Sequence, residues 1–360
     1  MPNVFPIHER AGYDTRINGV KIMKVTFFTS PAGFSRLGGA EIQMLKTKEY
    51  LNCSEDCSVS FFDIFNDKIG QYDIFHNFTV KLDCLPLYIL AKNAGVKLAL
   101  SPIYWPTPSF TLQNLAKKLV IHLPVFRKWY PIRDFFDLAD IVLPNSKMEQ
   151  ELIARRFKIH SRKSCVIPNG VDKVFYKANP RLFIEKYGLE DFVLFVGRIE
   201  PRKNVLRLLK VFKTLEMPLV LIGDSLETEY SISCNDLIKS RKNIHYLGFI
   251  PHNSALLRSA YAAAKVFVLP SMCETPGLSA LEAGLAGCNI VITNNGSPVE
   301  YFKDYAWYVN PNSIGDIKTK ILEAYSAAKD QKLRERILKN YTWEHVAEET
   351  LNAYKRVLAS

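Results

Sequence analysis

Short runs of apolar and β-branched residues alternate along the chain with longer amphipathic segments of helical spacing, which is typical of βα units and parallel sheets. The alternation occurs in two series. Strands are predicted at residues 21–28, 59–64, 74–77, 97–100, 141–144 and 165–167, and again at 192–197, 219–223, 244–247, 266–270, 289–293 and 307–309. The pattern therefore predicts an α/β protein with two doubly wound, Rossmann-like domains that face each other across a cleft.

The chain length supports two domains, because 360 residues exceed what one hydrophobic core usually holds. Asn169-Gly170, a strong turn signal, follows the last strand of the first series. We expect four parts: an extension over 1–19, an N-terminal domain over 20–175, a C-terminal domain over 176–340, and a final helix over 341–360 that packs back on the N-terminal domain. Ligands of doubly wound sheets bind beyond the carboxyl ends of the strands, so the functional residues should lie in loops that follow strands.

Composition excludes several other classes of protein. The longest apolar runs are strand-sized, far short of the ~18 residues that a membrane span needs. The first sixteen residues carry acids and two prolines and have no apolar signal-peptide core, so a cytoplasmic protein is expected. The seven cysteines are scattered, which favours reduced thiols and no structural metal site.

The net charge of +11 is concentrated in residues 1–180, which hold 24 Lys and Arg against 16 Asp and Glu. The stretch 84–133 has no acid, and its basic and aromatic residues include Lys117, Lys118, Phe126, Arg127, Lys128, Trp129 and Tyr130. We expect this stretch to attach the protein to an anionic membrane surface. The alternative is that the rings belong to the core while the basic residues face water. No nucleic-acid partner is expected, because only the basic pI favours one and no binding-module motif occurs.

Two carboxylates stand eight residues apart in the segment 269–302. Glu274 follows a predicted strand, and Glu282 lies about one turn into a predicted helix over 278–286. The start of that helix offers free backbone N–H groups, which form an anion site. A ligand with a central diphosphate and a sugar at each end would fit this arrangement, with one carboxylate accepting hydrogen bonds from each sugar.

Basic and glycine-rich loops follow two other predicted strands. Arg198 stands at a strand end, and Lys203 stands in the first turn of the next helix, so both would reach the same cleft and neutralise a diphosphate. Gly38 and Gly39 precede Ala40 and Glu41 after the first strand, where glycine lets the backbone approach a bound group.

These segments resemble glycosyltransferase family 4, the retaining sugar-nucleotide transferases of the GT-B fold, whose mark is E-x7-E. The resemblance runs from about Val20 to the end, through GGAE, PNGVD at 168–172, GRIEPRK, E-x7-E and a last helix that begins YTWE. It implies that Glu274 contacts the donor hexose, that Glu282 contacts the ribose, and that Arg198 and Lys203 hold the diphosphate. Gly39 would bind the donor phosphate or the acceptor, and PNGVD is interpreted as a structural hinge.

The chain departs from the family pattern in two loops. Where many members have a histidine after the fourth strand, this chain has Ser101-Pro102-Ile103, followed by Tyr104. The usual EGFG loop is Glu274-Thr275-Pro276-Gly277, in which Pro276 has no N–H to donate. Sugar contacts there would rely on Thr275, Gly277 and Leu278. The remaining candidates are Ile250, near the nucleotide base, and three cleft or acceptor candidates, His76, Ser101 and Tyr104.

The resemblance implies a hexosyltransferase that uses a nucleotide diphosphate sugar as donor and a cell-envelope polysaccharide or lipid-linked glycan as acceptor. No cofactor is expected. No Asp-x-Asp occurs in the chain, so we expect no divalent metal, with Arg198, Lys203 and helix N-termini in its place. The alternative is a transferase-like protein of weak catalytic power that binds a polyanion or a sugar nucleotide. The donor base, uridine or guanosine, stays open.

Overall fold

The computed structural model describes residues 16–17, 20–31, 33, 38–105 and 131–360. Most of the predicted N-terminal extension lies outside these residues. The predicted membrane-binding residues Lys117, Lys118, Arg127 and Lys128, with the rings of Phe126, Trp129 and Tyr130, also lie outside them.

The N-terminal domain is built on a five-stranded parallel sheet in the order β4-β3-β5-β6-β7. Its strands are β3 (Met23–Phe28), β4 (Cys57–Phe61), β5 (Ile74–Phe78), β6 (Lys97–Ser101) and β7 (Ile141–Val142), and a small antiparallel hairpin of β1 (Arg16–Ile17) and β2 (Val20–Lys21) precedes them. Helices Gly39–Leu51 and Trp343–Leu358 cover one face of the sheet, and helices Leu85–Asn93, Ile132–Leu138 and Lys147–Phe157 cover the other. The strand order changes direction between β3 and β5, so a crevice opens where these two strands end.

The C-terminal domain has a six-stranded parallel sheet in the order β10-β9-β8-β11-β12-β13. The strands are β8 (Val193–Val196), β9 (Leu219–Ile222), β10 (Ile244–Tyr246), β11 (Val266–Leu269), β12 (Asn289–Thr293) and β13 (Ala306–Val309). Its helices are Arg181–Tyr187, Val205–Phe212, Glu229–Lys239, Ala255–Ala263, Leu278–Ala286, Pro298–Phe302, Ile314–Ser326 and Gln331–Asn340. The strand order reverses between β8 and β11, so the loops after these two strands flank the second crevice.

Burial explains why the central strands read as continuous apolar runs. All four side chains of β11 are fully buried, because helices cover both faces of the sheet. No helix among the described residues has the length and apolar character that a bilayer span requires. All seven cysteines carry free thiols, as predicted.

The chain passes between the domains at the PNGVD segment. Val171 and Phe175 already pack in the core of the C-terminal domain, slightly before the predicted boundary at residue 175. The predicted strand over 165–167 is reduced to backbone hydrogen bonds that Cys165 and Ile167 donate to β7 and the residues after it, plus one bridge at Ser164. Pro168 ends this pairing because it has no N–H.

The final helix, Trp343–Leu358, returns to the N-terminal domain. The Thr342 side chain caps its first turn by accepting a hydrogen bond from the backbone N–H of His345. Trp343 is buried against Gly170, where a Cβ would lie 2.8 Å from the indole ring. Near its end, Lys355 forms an ion pair with Asp56 at 2.5 Å. The last helix of the chain thus packs against the first domain.

Candidate active site

The loop after β3 meets the C-terminal domain at two of the predicted donor-binding residues. A Cβ at Gly38 would lie 3.3 Å from a terminal guanidinium nitrogen of Arg198, and a Cβ at Gly39 would lie 3.8 Å from the Leu278 side chain. Glu41 holds the loop by accepting a hydrogen bond from the Gly38 backbone N–H at 2.8 Å. The structure therefore brings Gly39, Arg198 and Leu278 together at the seam between the two crevices.

Lys203 and Glu274 form a buried ion pair at the centre of the site. Nζ of Lys203 lies 2.5 Å from Oε1 of Glu274, and the two side chains are 14% and 6% exposed. Burial alone would raise the pKa of Glu274, but the charges of Lys203 and Arg202 and the hydrogen bond from Lys203 hold it below its usual value. Arg202 is half exposed and lies 3.8 Å from the same carboxylate oxygen.

Asn204 fixes the loop that carries Lys203. It adopts a left-handed backbone conformation and begins the helix Val205–Phe212. Its side-chain amide donates to the carbonyl oxygens of Pro270 and Pro311, at 2.9 and 2.8 Å. The backbone N–H of Met272 donates to the carbonyl of Arg202 at 2.8 Å, so the loops after β8 and β11 are fastened to each other.

A turn over residues 294–297 holds Glu274 from the opposite side. Glu274 donates its backbone N–H to the carbonyl of Asn295 and accepts from the N–H of Ser297, at 3.1 and 3.0 Å. Gly296 has a φ of 99°, and a Cβ there would lie 2.0 Å from the Glu274 carbonyl oxygen. Only glycine fits this approach. This Asn-Gly turn is not part of the predicted site, although its position directly after β12 is a signal for a functional role.

Thr275 and Gly277 connect Glu274 to the helix Leu278–Ala286. Gly277 has a φ of 95° and is the N-cap residue of that helix. The first helical turn, with its free backbone N–H groups, therefore begins directly after the site loop. Asn169 of the PNGVD turn donates its side-chain amide to the carbonyl of Thr275 at 3.2 Å. The predicted hinge therefore also supports the site loop.

Glu282 points its carboxylate at two residues that the sequence analysis missed. Tyr261 donates its hydroxyl hydrogen to one oxygen at 2.7 Å, and His252 Nε2 lies 2.5 Å from the other. The hydrogen bond and the charge of Glu282 raise the pKa of His252, although burial opposes them. His252 comes two residues after Ile250, which is buried in the loop that follows β10.

The three cleft candidates of the first domain, His76, Ser101 and Tyr104, are buried. His76 is 1% exposed, with its two ring nitrogens 2.6 Å from the Tyr354 hydroxyl and 2.9 Å from the Ser101 hydroxyl. Burial lowers the pKa of His76 to about 3, so the ring is neutral. Tyr104 packs edge-to-face on Phe157 in the second core of the same domain. All three side chains are buried, and their role in the cleft or at the acceptor stays a prediction.

Within residues 16–17, 20–31, 33, 38–105 and 131–360, no group of three or more His, Cys, Asp or Glu side chains is arranged to hold a metal ion. The structure gathers Lys203, Arg202 and Glu274 at the site, with Arg198 on the same loop as Lys203 and Glu282 farther along the helix Leu278–Ala286.

The C-terminal domain is similar to proteins of a known family. Residues 181–342 match the model of the family described as glycosyl transferases group 1. The chain is 28% identical over 243 residues to O-antigen chain mannosyltransferase B of Escherichia coli, and the alignment covers 62% of each protein. The chain thus spans about three fifths of the length of that curated relative.

Solved structures show the same fold over nearly the whole chain. Sucrose-phosphate synthase of Thermosynechococcus elongatus superimposes with a TM-score of 0.76 at 18% identity, covering 94% of this chain and 99% of its own. Anabaena HepE, solved in complex with UDP and glucose, gives 0.71 at 18% identity, covering 93% and 100%. The predicted pair of Rossmann-like domains in the GT-B arrangement is confirmed.

Proposed function

We propose that the protein is a retaining hexosyltransferase that moves a sugar from a nucleotide diphosphate donor to a cell-envelope polysaccharide or lipid-linked glycan, because residues 181–342 match the model of the glycosyl transferases group 1 family. One observation carries the proposal: the Lys203–Glu274 pair, Arg198, the loop at Gly39 and the start of the helix Leu278–Ala286 meet beyond the carboxyl ends of β3, β8 and β11. The E. coli relative, an O-antigen mannosyltransferase by name, supports the class of acceptor.

Charge stabilisation of the departing diphosphate is the main catalytic contribution. Arg198 offers a planar fork to phosphate oxygens, Lys203 offers a compact positive charge, and the helix start offers N–H donors. All of them are held in place before substrate arrives, so they need little reorganisation as charge develops on the leaving group. Glu274 orients Lys203 and accepts hydrogen bonds from the hexose hydroxyls.

Retention of configuration follows from attack on the same face that the leaving group departs from. Among the described residues, the carboxylates of the site are Glu274, which is paired with Lys203, and Glu282, which we place at the ribose. Neither is assigned as a nucleophile. The acceptor hydroxyl then attacks from the side of the diphosphate, whose oxygens take its proton. Metal independence is part of the proposal, because Arg198 and Lys203 carry the charge that a divalent ion would neutralise.

The enzyme is proposed to work in the cytoplasm, at the inner face of the cell membrane. The acid-free stretch 84–133 supplies the basic residues for that attachment, at about 1 kcal/mol each. Sedimentation with anionic vesicles at low and high salt tests this part. A variant with Lys117, Lys118, Arg127 and Lys128 changed to Ser should bind the vesicles less than wild type, and equal binding would refute the attachment.

Transfer and donor hydrolysis should be measured with a panel of uridine and guanosine diphosphate hexoses, chosen first by thermal-shift screening. Lys203→Ala and Glu282→Ala should each reduce kcat/KM by about 100-fold or more. Lys210→Ala is the matched control, because Lys210 lies on the exposed face of the helix Val205–Phe212 and its loss should leave turnover unchanged. Near wild-type rates in both site variants would refute the assignment. Donor binding without any turnover would instead favour the sugar-nucleotide-binding alternative.

A further inference from the structure

The carboxylate of Glu282 is held by one protein group on each oxygen. Tyr261 donates to Oε2 at 2.7 Å, and His252 Nε2 lies 2.5 Å from Oε1. Tyr261 is completely buried and Glu282 is 6% exposed, whereas the His252 side chain is 34% exposed. Tyr261 is therefore a fixed anchor, and His252 closes the solvent side of the carboxylate.

An ionised carboxylate has about four acceptor positions, two on each oxygen. Tyr261 and His252 use one position on each oxygen, so one remains on each oxygen for a ligand. Two acceptors on one rigid carboxylate fit the two vicinal hydroxyls of a ribose. Once His252 has fixed the plane of the Glu282 carboxylate, its two remaining acceptor positions therefore match the two hydroxyls of a nucleoside ribose.

Several charged groups surround the His252 ring. Glu282 lies on the helix Leu278–Ala286, and the Phe175 ring packs 6.2 Å away. Asp172 and Lys46, which form an ion pair at 3.0 Å, also act on the charge of the ring. Glu282 and Asp172 favour the protonated ring, while burial and Lys46 oppose it, and the net direction of the His252 pKa is upward from 6.5. The ring therefore carries a positive charge at pH 6 and loses it as the pH rises above its raised pKa.

We infer that His252 is a positioning residue for the donor nucleotide: it orients Glu282 toward the ribose and, when protonated, adds a positive charge at the nucleotide end of the site. The inference rests on the proposed function, in which Glu282 contacts the ribose. His252 makes two separable contributions to nucleotide binding. The Nε2–H group orients the carboxylate at any pH, because the neutral ring can also carry a hydrogen there. The charge favours an anionic ligand only at low pH.

Binding of UDP and of GDP should be measured by calorimetry from pH 6.0 to 8.5 for wild type, His252→Gln and His252→Ala. Gln keeps an N–H donor but cannot titrate, so the ratio of its Kd to that of wild type should be about fivefold at pH 6.0 and approach one at pH 8.5. His252→Ala loses both contributions and should bind more weakly across the whole range. His160→Gln, which changes an exposed histidine of the other domain, is the control and should match wild type.

A second measurement uses the wild-type protein alone and does not depend on a variant that folds. The pKa of the His252 ring is measured by NMR titration. Saturation with the nucleotide should raise this pKa, because binding and protonation favour each other. A flat Kd ratio for His252→Gln, unchanged affinity in His252→Ala, or an unmoved pKa on saturation would each overturn the inference while leaving the proposed function intact. Failure of wild type to bind any nucleotide at any pH would overturn both.

Discussion

Replacing Lys203 by Met tests how the buried ion pair of the site is stabilised. The change keeps the length of the side chain and removes its charge, so Glu274 stays 6% exposed and keeps Arg202, 3.8 Å away, as a cationic neighbour. Removing one partner of a buried pair usually costs 3–5 kcal/mol. Because the Arg202 guanidinium remains nearby, we expect the free energy of unfolding at pH 7.5 to fall by about 3 kcal/mol.

The pH dependence of that loss is the sharper test. In wild type the pKa of Glu274 is lowered, so the pair contributes stability that is present above about pH 4.5 and disappears as the pH falls through the folded value. In Lys203→Met burial dominates, and the pKa of Glu274 should rise above 4.5. The buried carboxyl can then take up a proton, so the difference in stability between wild type and variant should shrink as the pH falls from 7.5 to 5.

Urea unfolding followed by tryptophan fluorescence at pH 7.5, 6 and 5 measures this difference. Glu274→Gln and the double variant complete a cycle, in which the double variant should lose about 2 kcal/mol less than the sum of the single variants. Lys210→Met, on the exposed helix face, is the control. A loss below about 0.5 kcal/mol for Lys203→Met, or one of the same size at all three pH values, would refute the compensating role of Lys203.

Three further predictions concern residues around the site. Gly296→Ala should lower kcat/KM by about 100-fold, because a Cβ would collide with the Glu274 carbonyl and displace the carboxylate. Steady-state kinetics measures this loss, and circular dichroism checks that the variant is folded like wild type. Gly170→Ala should lower the free energy of unfolding by about 2 kcal/mol through its clash with Trp343, measurable by calorimetry, and an unchanged Tm would contradict it. Burial raises the pKa of Glu149 to about 7, so wild-type stability should fall by about 3 kcal/mol as the pH rises from 4.5 through 7, and Glu149→Gln should flatten that slope in urea unfolding.

The sequence was sufficient for those parts of the fold and the site that depend on local pattern. Strand-sized apolar runs and the rule that ligands bind beyond strand ends placed Arg198 and Glu274 in one crevice, and the structure brings their loops together. The final helix was also visible, because its apolar spacing begins at the capping residue Thr342. Each of these features depends on a continuous segment of about twenty residues.

The missed features depend on contacts between distant parts of the chain. His76 looked like a cleft residue because it stands on a strand of the first crevice, but its partner Tyr354 lies 278 residues later. The returning last helix covers the ring together with Phe27 and Phe78. His252 and Tyr261 escaped notice for the same reason, since neither belongs to a motif and each acquires its role by facing Glu282 from another element. Periodicity predicts which face is buried, not which side chains meet there.

The short helix Pro298–Phe302 links the position of Glu274 to the contact between the domains. The turn just before this helix holds the backbone of Glu274. Within the helix, Glu300 accepts hydrogen bonds from the backbone N–H groups of Lys147 and Met148, at the start of a helix in the first domain. The Tyr301 hydroxyl accepts from the N–H of Asn169. Since one five-residue helix joins these contacts, a shift of the first domain against the second acts directly on the turn that fixes Glu274. We therefore expect the interdomain contact and the site loop to move together.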